Sequence, residues 1–102
     1  MDRIAQLRKF IETQPDAPFP RYALALELKG KGDSAAAAAE LQDLLRRAPD
    51  YLAAHLQLGM LLQTLGRNDE ARAALEDGQQ LARKKGDTHT LSELTSALEL
   101  LG

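Results

Sequence analysis

The sequence predicts an all-α fold: a right-handed superhelical stack of antiparallel helix hairpins with a capping helix at each end. Three observations carry that prediction. The first is an internal repeat at an offset of 34 residues: Pro15-Asp16 returns as Pro49-Asp50, Leu24-Ala25 as Leu58-Gly59, Leu28 as Leu62, Gly32 as Gly66, Ala37 as Ala71 and Leu41 as Leu75. A fixed period of this kind marks stacked helical hairpins, because no single hairpin can bury its apolar face alone. The second is composition. Hydrophobic residues make up 44 % of the chain but aromatics only 4 %, so alanine and leucine must supply the packing, and both are strong helix formers. The third is that glycine and proline fall where the apolar periodicity stops, as helix ends require.

Each element follows from local chemistry. Ile4, Leu7, Phe10 and Ile11 stand at helical spacing, with Arg3, Arg8, Lys9 and Glu12 on the other face. Gln14-Pro15-Asp16-Ala17-Pro18 ends that first helix, since proline cannot continue it. A second helix starts near Phe19-Pro20, where a first-turn proline sacrifices no hydrogen bond, and stops in Gly30-Lys31-Gly32-Asp33. The third covers Ser34 to Arg47, its Ala35–Ala39 run being strong helix propensity rather than low complexity, and Arg46-Arg47 complement the dipole before Pro49. Tyr51 to Leu65 form the fourth, closed by Gly66. The fifth begins at Asn68-Asp69, both good capping residues, and runs to Arg83-Lys84-Lys85 before Gly86. For the last helix Thr90 is expected as N-cap with Glu93 three residues on, a capping box, and Leu91, Leu94, Leu98 and Leu101 as apolar stripe.

Six helices with short turns give one domain over residues 1–102. It comprises an N-terminal capping helix at 1–14, a first unit at 18–50, a second at 52–85 and a C-terminal capping helix at 88–101. A net charge of -2 offers no clustered positive surface for nucleic acid. The absence of cysteine excludes a disulfide framework, a thiolate metal site and a cysteine nucleophile. No apolar run approaches bilayer-spanning length, and Met1-Asp2-Arg3-Ile4-Ala5-Gln6 lacks the continuous apolar segment of a signal peptide, so a cytoplasmic protein without membrane contact is expected.

Written in the 34-residue frame, the chain resembles the tetratricopeptide repeat family. Leu58-Gly59 with Leu62 match the family's first-helix pattern, and Leu24-Ala25 with Leu28 match it with alanine as the small residue. Gly32 and Gly66 close the first helices, Ala37 and Ala71 open the second ones, Leu41 and Leu75 follow four positions later, and Pro49 is the terminal proline. Two departures stand out. The family's second small position holds Leu44 in one unit and Gly78 in the next, and the phase ends at Arg83-Lys84, which makes the last helix a cap and 1–14 a degenerate half-unit. The resemblance, over Pro15 to Arg83, implies a small non-enzymatic protein that presents a concave groove to another protein.

No residue constellation argues for catalysis, a metal or a cofactor. His55 and His89 are the only histidines, His55 on the packed side of helix four and His89 just before helix six. There is no H-E-x-x-H spacing, phosphate loop or nucleophile elbow. The candidate site is instead a second stripe on the first helices: Phe19, Tyr22, Leu26 and Lys29 in one unit, Ala53, Leu56, Met60 and Gln63 in the next. Hairpin pairing explains one apolar stripe per helix; the second needs a further neighbour. Adjacent units supply part of that neighbour, and the rest is a segment of a partner protein, a second copy in a homodimer, or a terminal helix of this chain. In the resembled family these positions line the groove. Tyr22, Leu26, Leu56 and Met60 offer few charge-assisted donors for a carboxylate, so an apolar or amphipathic segment fits better than an acidic chaperone tail.

Overall fold

The computed structural model describes residues 2–102, so Met1, the first residue of the expected capping segment, lies outside the described residues. Six α-helices follow in order: α1 (Arg3–Thr13), α2 (Pro18–Gly30), α3 (Ser34–Arg47), α4 (Leu52–Thr64), α5 (Asn68–Lys85) and α6 (Thr88–Leu101). No strand occurs among the described residues. The helices fall into two compact units, α1–α3 up to Pro49 and α4–α6 from Asp50.

The glycine turns share one hydrogen-bond pattern. Asp33 N–H donates to Leu28 O at 2.9 Å and Gly32 N–H to Lys29 O at 3.0 Å. The same pair of bonds recurs from Arg67 and Gly66 to Leu62 and Gln63, and from Asp87 and Gly86 to Ala82 and Arg83. This geometry satisfies the last carbonyls of a helix and places its glycine at positive φ, here 84°, 75° and 70° for Gly32, Gly66 and Gly86. The 34-residue echo of Gly32 in Gly66 is therefore an echo of one helix stop.

Two helix starts differ from expectation. The N-cap of α6 is Asp87, whose carboxylate accepts from Thr90 N–H at 2.9 Å and from the Thr90 hydroxyl at 2.8 Å; Thr90 lies inside the helix. Asp87 sits immediately after the Gly86 turn, where an acceptor reaches the exposed amides of the first turn, and aspartate caps at least as well as threonine. At α5 the N-cap is Arg67, with no side-chain cap bond, and Asn68 and Asp69 are already helical. Arg67 instead forms a two-point ion pair with Glu70, at 2.6 and 2.7 Å. Asp33 caps α3 through Ala36 N–H at 3.1 Å, and Asp2 caps α1 through Ala5 N–H at 2.8 Å.

In the first unit the helices run antiparallel: Arg3 at the start of α1 meets Glu27 near the end of α2 at 3.1 Å, and Arg21 early in α2 meets Asp43 late in α3 at 2.8 Å. Leu24, Leu41 and Leu44 have no accessible surface, with Ala25 and Ala37 beside them in the core. Each fully buried leucine contributes on the order of 1.5–3 kcal/mol.

The second unit owes its close packing to two glycines. A Cβ on Gly59 would overlap Leu75, so α4 and α5 cross where one side chain is missing. A Cβ on Gly78 would lie 2.9 Å from both His55 Cβ and Leu94 Cδ2, so α4 and α6 both press on α5 at that point. Glycine in mid-helix costs about 1 kcal/mol against alanine; the contacts it admits offset that. Leu94, Leu75, Ala82 and Ala97 form a core cluster, with Leu91, Leu98 and Leu101 of α6 and Leu52 and Leu56 of α4 packed against it. His55 is buried, as its place beside Leu58 and Leu62 requires.

Candidate functional site

On α2 the two apolar stripes have different fates. Leu24, Ala25 and Leu28 are buried, whereas Phe19 remains 62 % exposed and Leu26 39 %. Tyr22 is half-buried between them and Lys29 exposed. Spacings of three and four residues put all four on one line of the helix. An aromatic ring left in water forgoes stabilisation on the order of 1.5–3 kcal/mol, so this line is where the first unit can gain from a partner.

On α4 the corresponding line is shared with α6. Leu56 is half-buried against the core cluster of the second unit, and Met60 is half-buried one turn further. Together with Gln57 they line a cleft of about 390 Å³ whose other wall is His89, Ser92, Glu93, Ser96, Ala97 and Leu100 of α6. Ala53 is exposed and Gln63 half-buried, and neither lines that cleft. The last helix thus takes up part of the second stripe of α4 and leaves a trough with Leu56, Met60, Ala97 and Leu100 as apolar lining and hydroxyl, amide and carboxylate groups at its margin.

The α6 wall is the part that sequence reasoning missed. The stripe Leu91-Leu94-Leu98-Leu101 marks the face turned to the core, but Ser92, Ser96 and Leu100 form a second line at spacings of four, ending in a leucine that is 77 % exposed. His89 is exposed, with Nε2 3.3 Å from Glu93 Oε1 at the cleft margin.

A third feature is electrostatic and lies within the first unit. The Arg21 side chain is only 9 % exposed, and its guanidinium donates to Asp43 Oδ2 at 2.8 Å and to Pro15 O at 3.3 Å from both Nε and Nη2. One side chain thereby ties the α1–α2 loop to α2 and α3. A hydrogen bond from Arg46, joined by the charges of Arg21, Arg46 and Arg47, holds the Asp43 carboxyl below the usual aspartate value. Glu40 Oε2 is buried 3.7 Å from Arg21 Nη1, an ion-pair distance without a hydrogen bond. Arg8, Ile11, Glu12 and Leu24 complete a crevice of about 210 Å³ around this pair. With its cations and carboxylates in balance, the cluster fastens the unit together.

Among the described residues no group of histidine, aspartate and glutamate is arranged to hold a metal ion, and no helix is long and apolar enough to cross a membrane.

Repeat spacing, glycine turns and small residues at the helix crossings together define a class of protein, the stacked helical hairpin. The family described as tetratricopeptide repeat matches residues 28–100, and the chain belongs to it. The structure is similar to that of a tetratricopeptide repeat domain protein from Salinibacter ruber, both in its crystal form (35 % identity, 83 % of this chain and 94 % of that one, TM-score 0.78) and in solution (36 % identity, 85 % and 88 %, TM-score 0.79). It is also similar to the solution structure of a Bordetella parapertussis protein, at 28 % identity over 99 % of this chain and 88 % of that one, with a TM-score of 0.83. No curated protein matches the sequence significantly. Proteins of this family generally mediate protein–protein interaction and act as non-enzymatic scaffolds.

Proposed function

We propose that this protein is a cytoplasmic adaptor that holds an apolar or amphipathic segment of a partner protein on the second stripes of α2 and α4. The observation that supports the reading is the exposure of Phe19 and Leu26, on a helix whose other stripe is fully buried. In the second unit the open trough beside Leu56 and Met60 supports it as well. Methionine and tyrosine suit such a surface, since one adapts its shape and the other combines a ring with a polar tip. Phe19, Tyr22, Leu26 and Lys29 are the contact residues of the first unit, and Ala53, Leu56, Met60 and Gln63 those of the second. The contact area is modest, and so is the affinity, which area alone does not set.

The test is a pull-down comparing the wild type with Tyr22→Ala/Met60→Ala. Partners should be lost while helix content, read by circular dichroism, is unchanged. Apolar capture should also survive a rise in salt that would screen charge-based binding. A double variant that keeps every partner of the wild type sinks the proposal.

A further inference from the structure

We propose that the protein self-associates through a contact between α1 of one copy and α6 of another. Its α6 half borders the trough beside Leu56 and Met60 used in the reading above, but its α1 half, Phe10 and Lys9, lies outside both stripes assigned there, so variants of α1 test it separately.

Two faces carry the inference. On α1, Leu7 is buried in the first unit, while Gln6, Lys9, Phe10 and Thr13 line an open depression of about 420 Å³. Phe10 is 55 % exposed, in a chain with only two phenylalanines. On α6, Leu94 is buried, and the exposed line Ser92, Ser96 and Leu100 walls the trough shared with α4, with Leu100 77 % exposed. Both helices are therefore apolar on the packed side and carry one large uncovered hydrophobe on the other.

Shape and charge make the occupant of each face a second copy of the other. Phe10 is a bulky projection, and the line Ser92-Ser96 is a strip of short side chains ending at Leu100, so a ring can settle beside them at close helix separation. The α1 helix carries Arg3, Arg8 and Lys9 against Glu12, whereas α6 carries Glu93 and Glu99 and no lysine or arginine. Lys9 adjoins Phe10 and Glu99 adjoins Leu100, and neither has an ion-pair partner among the described residues. An apolar contact bordered by opposite charges favours α1 against α6 and disfavours α1 against α1 or α6 against α6. Each copy presents one face of each kind, so the contact either closes twice in a two-fold dimer or repeats along a chain of copies. A single helix pair buries less than a stable interface needs, so association is weak and is read at high protein concentration.

The experiment is light-scattering mass over a concentration series of the full chain, with three sets of variants. Wild type should rise above monomer mass as concentration increases. Phe10→Glu and Leu100→Glu, both at exposed positions, should each weaken association by at least about tenfold, which corresponds to 1.4 kcal/mol. Mixed together, the two should form a 1:1 pair, because the first keeps an intact α6 face and the second an intact α1 face. Lys9→Glu and Glu99→Lys should each weaken the contact, and the double swap should restore it. A wild type that stays monomeric throughout, or Phe10→Glu and Leu100→Glu chains that associate as the wild type does, overturns the proposal. So does a mixture of those two chains that associates no more than either chain alone. Circular dichroism of each variant separates loss of contact from loss of fold.

Discussion

Replacing Gly59 by alanine sets two effects of opposite sign against each other. In an exposed helix interior the change stabilises by about 1 kcal/mol, since glycine loses the most backbone entropy on folding. At Gly59 the added methyl would come within 2.5 Å of Leu75 Cγ, where carbon atoms ordinarily rest about 3.5–4.0 Å apart. One of them must move by about 1 Å. Leu75 has no accessible surface, so it cannot yield toward solvent without displacing its core neighbours. Overpacking of a filled core costs about 1–3 kcal/mol. An overlap that takes in Cγ as well as the Cδ2 methyl of Leu75 belongs at the upper end, and after the propensity gain the net loss is about 2 kcal/mol. For a chain of this size that lowers the melting temperature by roughly 8–16 °C. Gly30→Ala is the matched control: nothing lies within 4 Å of its Cβ position and its φ is not positive, so the same substitution should stabilise by about 0.4–1 kcal/mol. Thermal melts followed by circular dichroism read both. Gly59→Ala melting at or above the wild-type temperature would falsify the packing argument.

Ala71, also fully buried, should respond to Ala71→Leu with a loss of about 1–3 kcal/mol in urea unfolding, and an unchanged midpoint would remove it from the crossing. Asp87→Ala should lower the urea midpoint by removing the cap of α6. The Thr90 backbone N–H, then its hydroxyl, hold the Asp87 carboxyl below its ordinary value. The unfolded chain therefore takes up that proton first on acidification, and the stabilisation, complete above pH of about 4–5, fades as pH falls through the folded-state value. Urea midpoints measured down to low pH should show Asp87→Asn with a shallower acid limb than the wild type; identical limbs would remove Asp87 from the account. Arg21→Met strips Pro15 O and Asp43 of a shared donor. Asp43 is one-third exposed and keeps Arg46, so the loss should be about 2 kcal/mol, nearer that of an orphaned polar group than of a fully buried ion pair. Arg21→Lys should recover only part of it, because an ammonium lacks the fork that reaches two acceptors. A variant as stable as wild type would show the cluster to be dispensable.

Helices and their stops are local features, legible in the amino-acid order alone. Gly32, Gly66 and Gly86 could be placed in advance because a left-handed turn residue is a local requirement, independent of what packs nearby. The same holds for the buried lines through Leu24, Leu28, Leu58 and Leu62, which follow from helical spacing alone. The start of α6 was less legible: Asp87 and Thr90 are both capping residues, and only the geometry of the Gly86 turn selects the aspartate. In the sequence Gly78 has only a place in the repeat frame; its physical reason is the meeting of His55 and Leu94 over it in the second unit. The candidate surface divides in the same way. Periodicity places Phe19, Tyr22, Leu26, Leu56 and Met60 on second stripes, but it carries no information about which helix lies opposite. Tertiary packing turned Leu56 toward the α6 cluster, left Phe19 and Leu26 exposed, and set the Ser92-Ser96-Leu100 line beside Met60. Local rules act within a few residues of chain, whereas coverage of a face depends on contacts between residues such as Leu56 and Leu94, far apart in sequence.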